Sequence, residues 1–260
     1  MQKKNFLISG INYTFLIAIL IFLIHADYAE AFDHSYSLYD HVLNQYVHEG
    51  LVNYAELKAN PQDLNNYLES VAEVPKDEFQ KFNKEEQLAF LINLYNAQTL
   101  KLIIDNYPVK SIKNIGSFFK GPWDQPVVRM LGQTITLNIL ENNIIRKNYN
   151  EPRIHFALVC AALSCPSLRE EAYVPKRLNE QLDDQGRIFL STPQKNRVDL
   201  KDHIVCLSPI FKWYAEDFVK ASGSVLAFVL SYFPAEVSNQ ISKEKFTIEY
   251  TEYNWALNDS

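Results

Sequence analysis

From Lys84 to Asn106 the chain admits one kind of element. Leu88, Leu91, Ile92, Tyr95, Leu102 and Ile103 recur at helical spacing. Asn83 stands where an N-cap belongs, and Glu86 completes a capping-box arrangement. Pro108 closes the far end, because proline biases the residue before it away from helix. Asn93 and Asn96 lie one turn apart and share a face of this helix.

Shorter elements surround it. Ser35 to Val47 reads as a helix with Leu38, Val42, Leu43 and Tyr46 inward, broken by Gly50. LVNYAEL, from Leu51, reads as a short extended piece, and Pro61 to Val71 as a helix facing inward through Leu64, Leu68 and Val71. VVRML and TITL alternate apolar and polar around Gly132-Gln133, which predicts a hairpin with a two-residue turn. Leu137 to Lys147 reads as a helix with Asn138 as its cap, and Ile154 to Val159 as a buried strand. Pro175 to Ser191 is a helix with proline in its first turn, burying Leu178, Leu182 and Phe189.

The pattern continues toward the end of the chain. VDL and IVCL form a second hairpin around Lys201-Asp202-His203. Ser208-Pro209 opens the helix IFKWYAEDFVKA, in which Phe211, Tyr214 and Phe218 face the core. Ser224 opens another, ended by Pro234, and KFTIEYTEY is a final strand. Helices outnumber strands, and the strands come mainly as hairpins. The expectation is an α+β fold, mainly helical, with a small sheet built largely from hairpins.

The N-terminus has the pattern of a signal peptide: Lys3 and Lys4, an apolar run from Tyr13 to Ile24, then Ala29-Glu30-Ala31. The reading is residues 1–31 as signal peptide and 32–260 as one globular domain, exported to the periplasm or secreted. The alternative is an uncleaved anchor, the only case that brings membrane contact. At 47% hydrophobic and 22% charged the composition is globular, and a net charge of −6 argues against a nucleic-acid partner.

Two of the three cysteines fall in RIHFALVCAALSCPSLR, Arg153 to Arg169. Cysteine and histidine are the side chains most easily tuned for chemistry near neutral pH. Cys160 is the candidate nucleophile. If Ala161 to Leu163 begin a helix, its N-terminus lowers the thiol pKa. His155 is the candidate base. On a strand the two have opposite parity, so they meet only where the strand ends or bulges. Glu141 is the candidate for orienting the histidine, and Asn93 or Asn96 for donating to an oxyanion. Each also has a structural reading: a buried thiol, a core histidine, a capping glutamate, backbone-binding asparagines. An odd cysteine count leaves at least one thiol free or paired with another molecule. A Cys160–Cys165 disulfide is an open alternative. His155, Cys160 and Cys165 do not match a standard zinc spacing, and no motif calls for a cofactor. His34, His41, His48 and His203 are scattered.

INLYNA from Ile92, LENNIIR from Leu140, the Arg153–Arg169 block, LSPIFKWYAEDF from Leu207 and YNWALN from Tyr253 resemble, in order, the bacterial branch of the domain of unknown function family 547. The resemblance spans roughly Asp33 to Asn258. It implies an exported bacterial protein. Some larger relatives carry a glutaredoxin-like domain, which points to thiol chemistry, and a papain-like or transglutaminase-like ancestry is one reading. A histidine commonly follows the glutamate of the LENNIIR block, where this chain has Asn142. Serine often stands at the position of Cys165, so the resemblance ranks Cys160 first.

The functional expectation is a cysteine-dependent hydrolase or acyl transferase with Cys160, His155 and Glu141 as catalytic residues. Asn93, Asn96, Cys165 and Arg169 are the candidate substrate-binding residues, and the partner is a small molecule or peptide. The alternative is a non-catalytic envelope binding module or structural protein.

Overall fold

The computed structural model describes residues 31–117 and 119–260, and one unit, Asp33–Ser260, holds every described element. The expected signal segment, or anchor, lies outside the described residues apart from Ala31. Among the described residues no helix is long and apolar enough to cross a membrane.

Helix α1, Ser37–Tyr46, buries Tyr39, Val42, Leu43 and Tyr46. Tyr39 takes the inward place expected of Leu38, which is exposed. The extended piece after it is short: β1 (Val47–His48) and β2 (Leu51–Val52) pair around Glu49-Gly50, and the chain is helical again from Tyr54. Gly50 sits at φ +80, and a Cβ there would meet the Cβ of Ser167 at 2.6 Å. Helices α2 (Tyr54–Ala59), α3 (Gln62–Glu73) and α4 (Lys76–Phe79) follow.

Helix α5 runs from Lys84 to Asn106 with the capping box formed: Asn83 accepts from the Glu86 amide and Glu86 accepts from the Asn83 amide. From Leu88 to Leu100 every residue is buried, so this helix is surrounded rather than lying on the surface. Helices α2 and α3, strand β3 and the Ile139–Ile145 segment pack against it.

Strands β3 (Pro126–Met130) and β4 (Gln133–Thr136) form the expected hairpin, with Met130 opposite Gln133. The two turn residues are therefore Leu131 and Gly132, both at positive φ, not Gly132-Gln133. A two-residue turn with both φ positive matches the strand twist. Burial of Val128 and Met130 sets that register. The segment after it also differs from the expectation. Ile139–Ile145 is a π-helix running into α6, Arg146–Asn148, and Asn138 is itself helical with no capping bond.

The expected strand at Ile154–Val159 is instead one helical turn, α7 (Ile154–Ala157), followed by extended chain. Asn96 of α5 supplies what a neighbouring strand would have. Its amide donates to the Ala157 carbonyl at 2.9 Å, and its carbonyl accepts from the Val159 amide at 3.0 Å. Helix α8 (Leu178–Leu190) buries Leu178, Leu182 and Phe189 as expected.

Strands β5 (Arg197–Asp199) and β6 (Ile204–Leu207) make the second expected hairpin. The next helix is broken at Tyr214 into α9 (Ile210–Trp213) and α10 (Ala215–Ser222). Helices α11 (Val225–Leu230) and α12 (Ala235–Lys243) then return the chain to β7 (Thr247–Tyr250), which pairs parallel with β6. Phe156, Phe189, Phe211, Phe218 and Phe228 form the apolar centre of this half. The architecture is α+β, mainly helical, with small sheets of two or three strands.

Candidate functional site

Cys160 sits where α7 has ended, partly exposed, and Ala161 after it is held at φ 55. Left-handed geometry is strained for a residue with a Cβ. Ala161–Cys165 is therefore a tight reversal and not the start of a helix, and the expected helix dipole on the Cys160 thiol is missing. The C-terminal segment fixes the reversal. The amides of Leu163 and Ser164 donate to the carbonyls of Ala256 and Asn254, and the Asn258 amide donates to the Ala161 carbonyl. The same segment delivers Tyr253, whose hydroxyl oxygen lies 3.1 Å from the Cys160 sulfur.

The reversal brings the two thiols together. The Cys160 amide donates to the Cys165 sulfur at 2.9 Å. Burial alone would raise the Cys165 pKa. Hydrogen bonding with Cys160 and the charge of the Lys195 ammonium outweigh it and hold Cys165 below its ordinary value of 9.0. Cys160 is pushed well above that value, first by its bond to Cys165 and then by burial. Lys195 stays close because its ammonium donates to the Cys165 carbonyl at 2.6 Å. Within the pair, ionisation is favoured at Cys165 and disfavoured at Cys160.

His155, on α7, is 3% exposed and does not use Glu141 as its hydrogen-bond partner. Its Nε2 lies 2.7 Å from Oδ2 of Asp217 on α10, an oxygen that also accepts from Arg146 at 2.7 Å. The imidazole stacks on Tyr214 with centroids 3.9 Å apart, and the Arg146 guanidinium covers the same tyrosine ring. Burial lowers the His155 pKa, and the bond to Asp217 offsets part of that. Asp217 is held far below the usual carboxylate range, first by His155 and also by Arg146. Glu141, from the π-helix, accepts from the hydroxyls of Tyr95 at 2.9 Å and Tyr214 at 2.7 Å. Its link to the imidazole is indirect, through the Tyr214 ring. Asn142, where relatives commonly have histidine, bonds Asn138 and accepts from Arg146 at 2.6 Å.

Cys160, Cys165, His155 and Glu141 all line one pocket of about 340 Å³, with Trp123, Trp213 and Trp255 on its walls. A larger groove, about 760 Å³, lies over α3, α5 and β3, and its lining contains neither thiol nor imidazole. The other three candidates are placed elsewhere. Both ends of the Asn93 amide are bonded to the Tyr173 backbone, and both ends of Asn96 to the α7 segment. Their hydrogen-bonding capacity goes to the backbone, which leaves neither amide directed at an oxyanion. Arg169 pairs with Glu171 and Asp184 beside a separate cavity of about 500 Å³. Among the described residues no group of three or more His, Cys, Asp and Glu side chains could hold a metal ion.

The residues not foreseen from sequence are Asp217, Tyr253, Lys195, Tyr95 and Tyr214. Asp217 and Tyr253 lie inside two of the quoted blocks, LSPIFKWYAEDF and YNWALN. Short blocks far from Cys160 in sequence were the available signal.

No curated protein and no solved structure matches this chain. The segment holding α5, Glu141, His155 and both pocket cysteines, residues 79–190, matches the family described as "Protein of unknown function, DUF547", which supports the resemblance and supplies no activity.

Proposed function

We propose that this chain is a thiol-dependent acyl transferase or hydrolase acting on a small molecule or peptide. The observation that carries the reading is that Cys160, Cys165 and His155 open onto one aromatic-walled pocket. Cys160, the more exposed residue of the two, attacks a carbonyl carbon as its proton passes to Cys165. The Tyr253 hydroxyl, already at the attacking sulfur, donates to the oxygen that gains charge. The leaving group takes that proton from Cys165, and His155, oriented by Asp217, serves as base for the incoming water or acceptor. The acyl group on Cys160 then passes to water or to an acceptor, which regenerates the thiol.

Export is part of the same proposal. It rests on Lys3 and Lys4, the apolar run to Ile24, the Ala29-Glu30-Ala31 site and the resemblance to the exported bacterial branch.

The test is p-nitrophenyl acetate with peptide mapping. The reading predicts a burst of p-nitrophenol and an acetyl group on Cys160 that hydroxylamine removes, both lost in Cys160→Ala. Release that is unchanged in Cys160→Ala, with acetyl groups on lysines alone, would leave the protein as a binding module.

A further inference from the structure

We infer that Cys160 and Cys165 also form a working dithiol, which exchanges with small organic disulfides at the floor of the aromatic pocket. This goes beyond acyl transfer and does not depend on it, since it needs only the two sulfurs and access to them.

The backbone prepares the pair. The Cys165 sulfur sits 2.9 Å from the Cys160 amide nitrogen. Closing the S–S bond calls for side-chain rotation, where more widely separated thiols would need the backbone to move. The reversal between them is braced on both sides. The Cys165 amide donates to the Ala162 carbonyl, and the C-terminal segment holds Ala161, Leu163 and Ser164. The Lys195 ammonium, anchored on the Cys165 carbonyl, stabilises a thiolate there. Both cysteines line the pocket, as does the exposed Trp213. Cys206 lies apart on β6, opposite Arg197, and does not line this pocket.

The exchange balances with a disulfide, RSSR, as oxidant. The Cys160 thiol gives its proton to Cys165, and its sulfur attacks one sulfur of RSSR. The S–S bond breaks, and the departing RS⁻ takes the proton from Cys165 and leaves as RSH. Cys165, again a thiolate, attacks the Cys160 sulfur of the mixed disulfide and expels the second RS⁻, which takes a proton from water. The two cysteines lose two electrons and become a disulfide, while RSSR gains them and becomes two thiols.

The test uses the reduced full chain and bis(2-hydroxyethyl) disulfide under nitrogen. After acid quenching, N-ethylmaleimide marks the remaining thiols and digestion maps them. The expected result is loss of two of the three alkylation sites, with Cys160 and Cys165 in one cross-linked peptide, Cys206 alkylated, and two thiols released per chain. Cys165→Ser should stop at a mixed disulfide on Cys160. Because a buried substitution can disturb folding, the wild-type map decides by itself. Cys160 and Cys165 alkylated as fully as Cys206, or a mixed disulfide that persists on wild-type Cys160, would overturn the inference. A failed acetylation burst beside a successful exchange would remove the acyl-transfer reading alone.

Discussion

Asp217 holds the His155 imidazole at 2.7 Å, joining α10 to α7 across the wall of the thiol pocket. Arg146 bonds the same carboxylate oxygen, so Asp217 stays charged while the ring it orients is buried. This histidine–carboxylate pair gives the pocket a proton-handling group that the glutamate of the LENNIIR block does not contact directly.

A pH dependence follows from that burial. The folded-state pKa of His155 lies below its ordinary value of 6.5. The unfolded chain then binds the proton more readily, so His155 favours folding above 6.5 and the stability is lost as pH falls through that value. The slope contributed is at most about 1.4 kcal/mol per pH unit. Urea unfolding at several pH values between 7 and 5 should show a declining midpoint, and His155→Gln should flatten the decline. An equal decline in the variant would assign it to other groups. Asp217, shifted far down, contributes only in stronger acid.

Asn96 should prove to be a structural residue. Asn96→Leu leaves the Ala157 carbonyl and the Val159 amide without their partners inside the protein. Unsatisfied buried groups of this kind cost about 1–3 kcal/mol each, so the variant should lose about 2–5 kcal/mol in urea unfolding. A loss below about 1 kcal/mol would mean that α7 holds its shape without the clamp.

These two residues show where sequence reasoning stopped. The long helix was legible because capping, apolar spacing and its terminating proline all act locally, and the hairpins were legible for the same reason. The Ile154–Val159 segment was not. An apolar run there suits a strand, yet a side chain sixty residues earlier provides its partner and lets it begin as a helical turn. With a helical turn in place of a strand, strand parity no longer separates His155 from Cys160. Cys160, Cys165 and His155 were legible as chemistry-bearing types, but their hydrogen-bonding partners were not. Asp217, Tyr253 and Lys195 reach the site through a broken helix, a C-terminal strap and a turn, and no local pattern encodes those contacts.

Tyr253 offers a cleaner probe of the thiols. Tyr253→Phe keeps the ring against Trp213 and Trp255 and removes only the hydroxyl at the Cys160 sulfur. That hydroxyl favours ionisation of both thiols. The variant should remain within about 1 kcal/mol of wild type in stability. Its pocket thiols should be alkylated more slowly at neutral pH. Unchanged alkylation would mean that the hydroxyl does not govern the pair.

The chemistry of this pocket rests on a stabilised thiolate in the Cys160–Cys165 pair. The most direct measurement is the pH profile of iodoacetamide labelling in the folded protein, mapped to each cysteine. The pair should be labelled faster than Cys206, with a half-rise below the ordinary thiol value of 9.0. A half-rise at or above 9.0, or labelling of the pair no faster than that of Cys206, would contradict it.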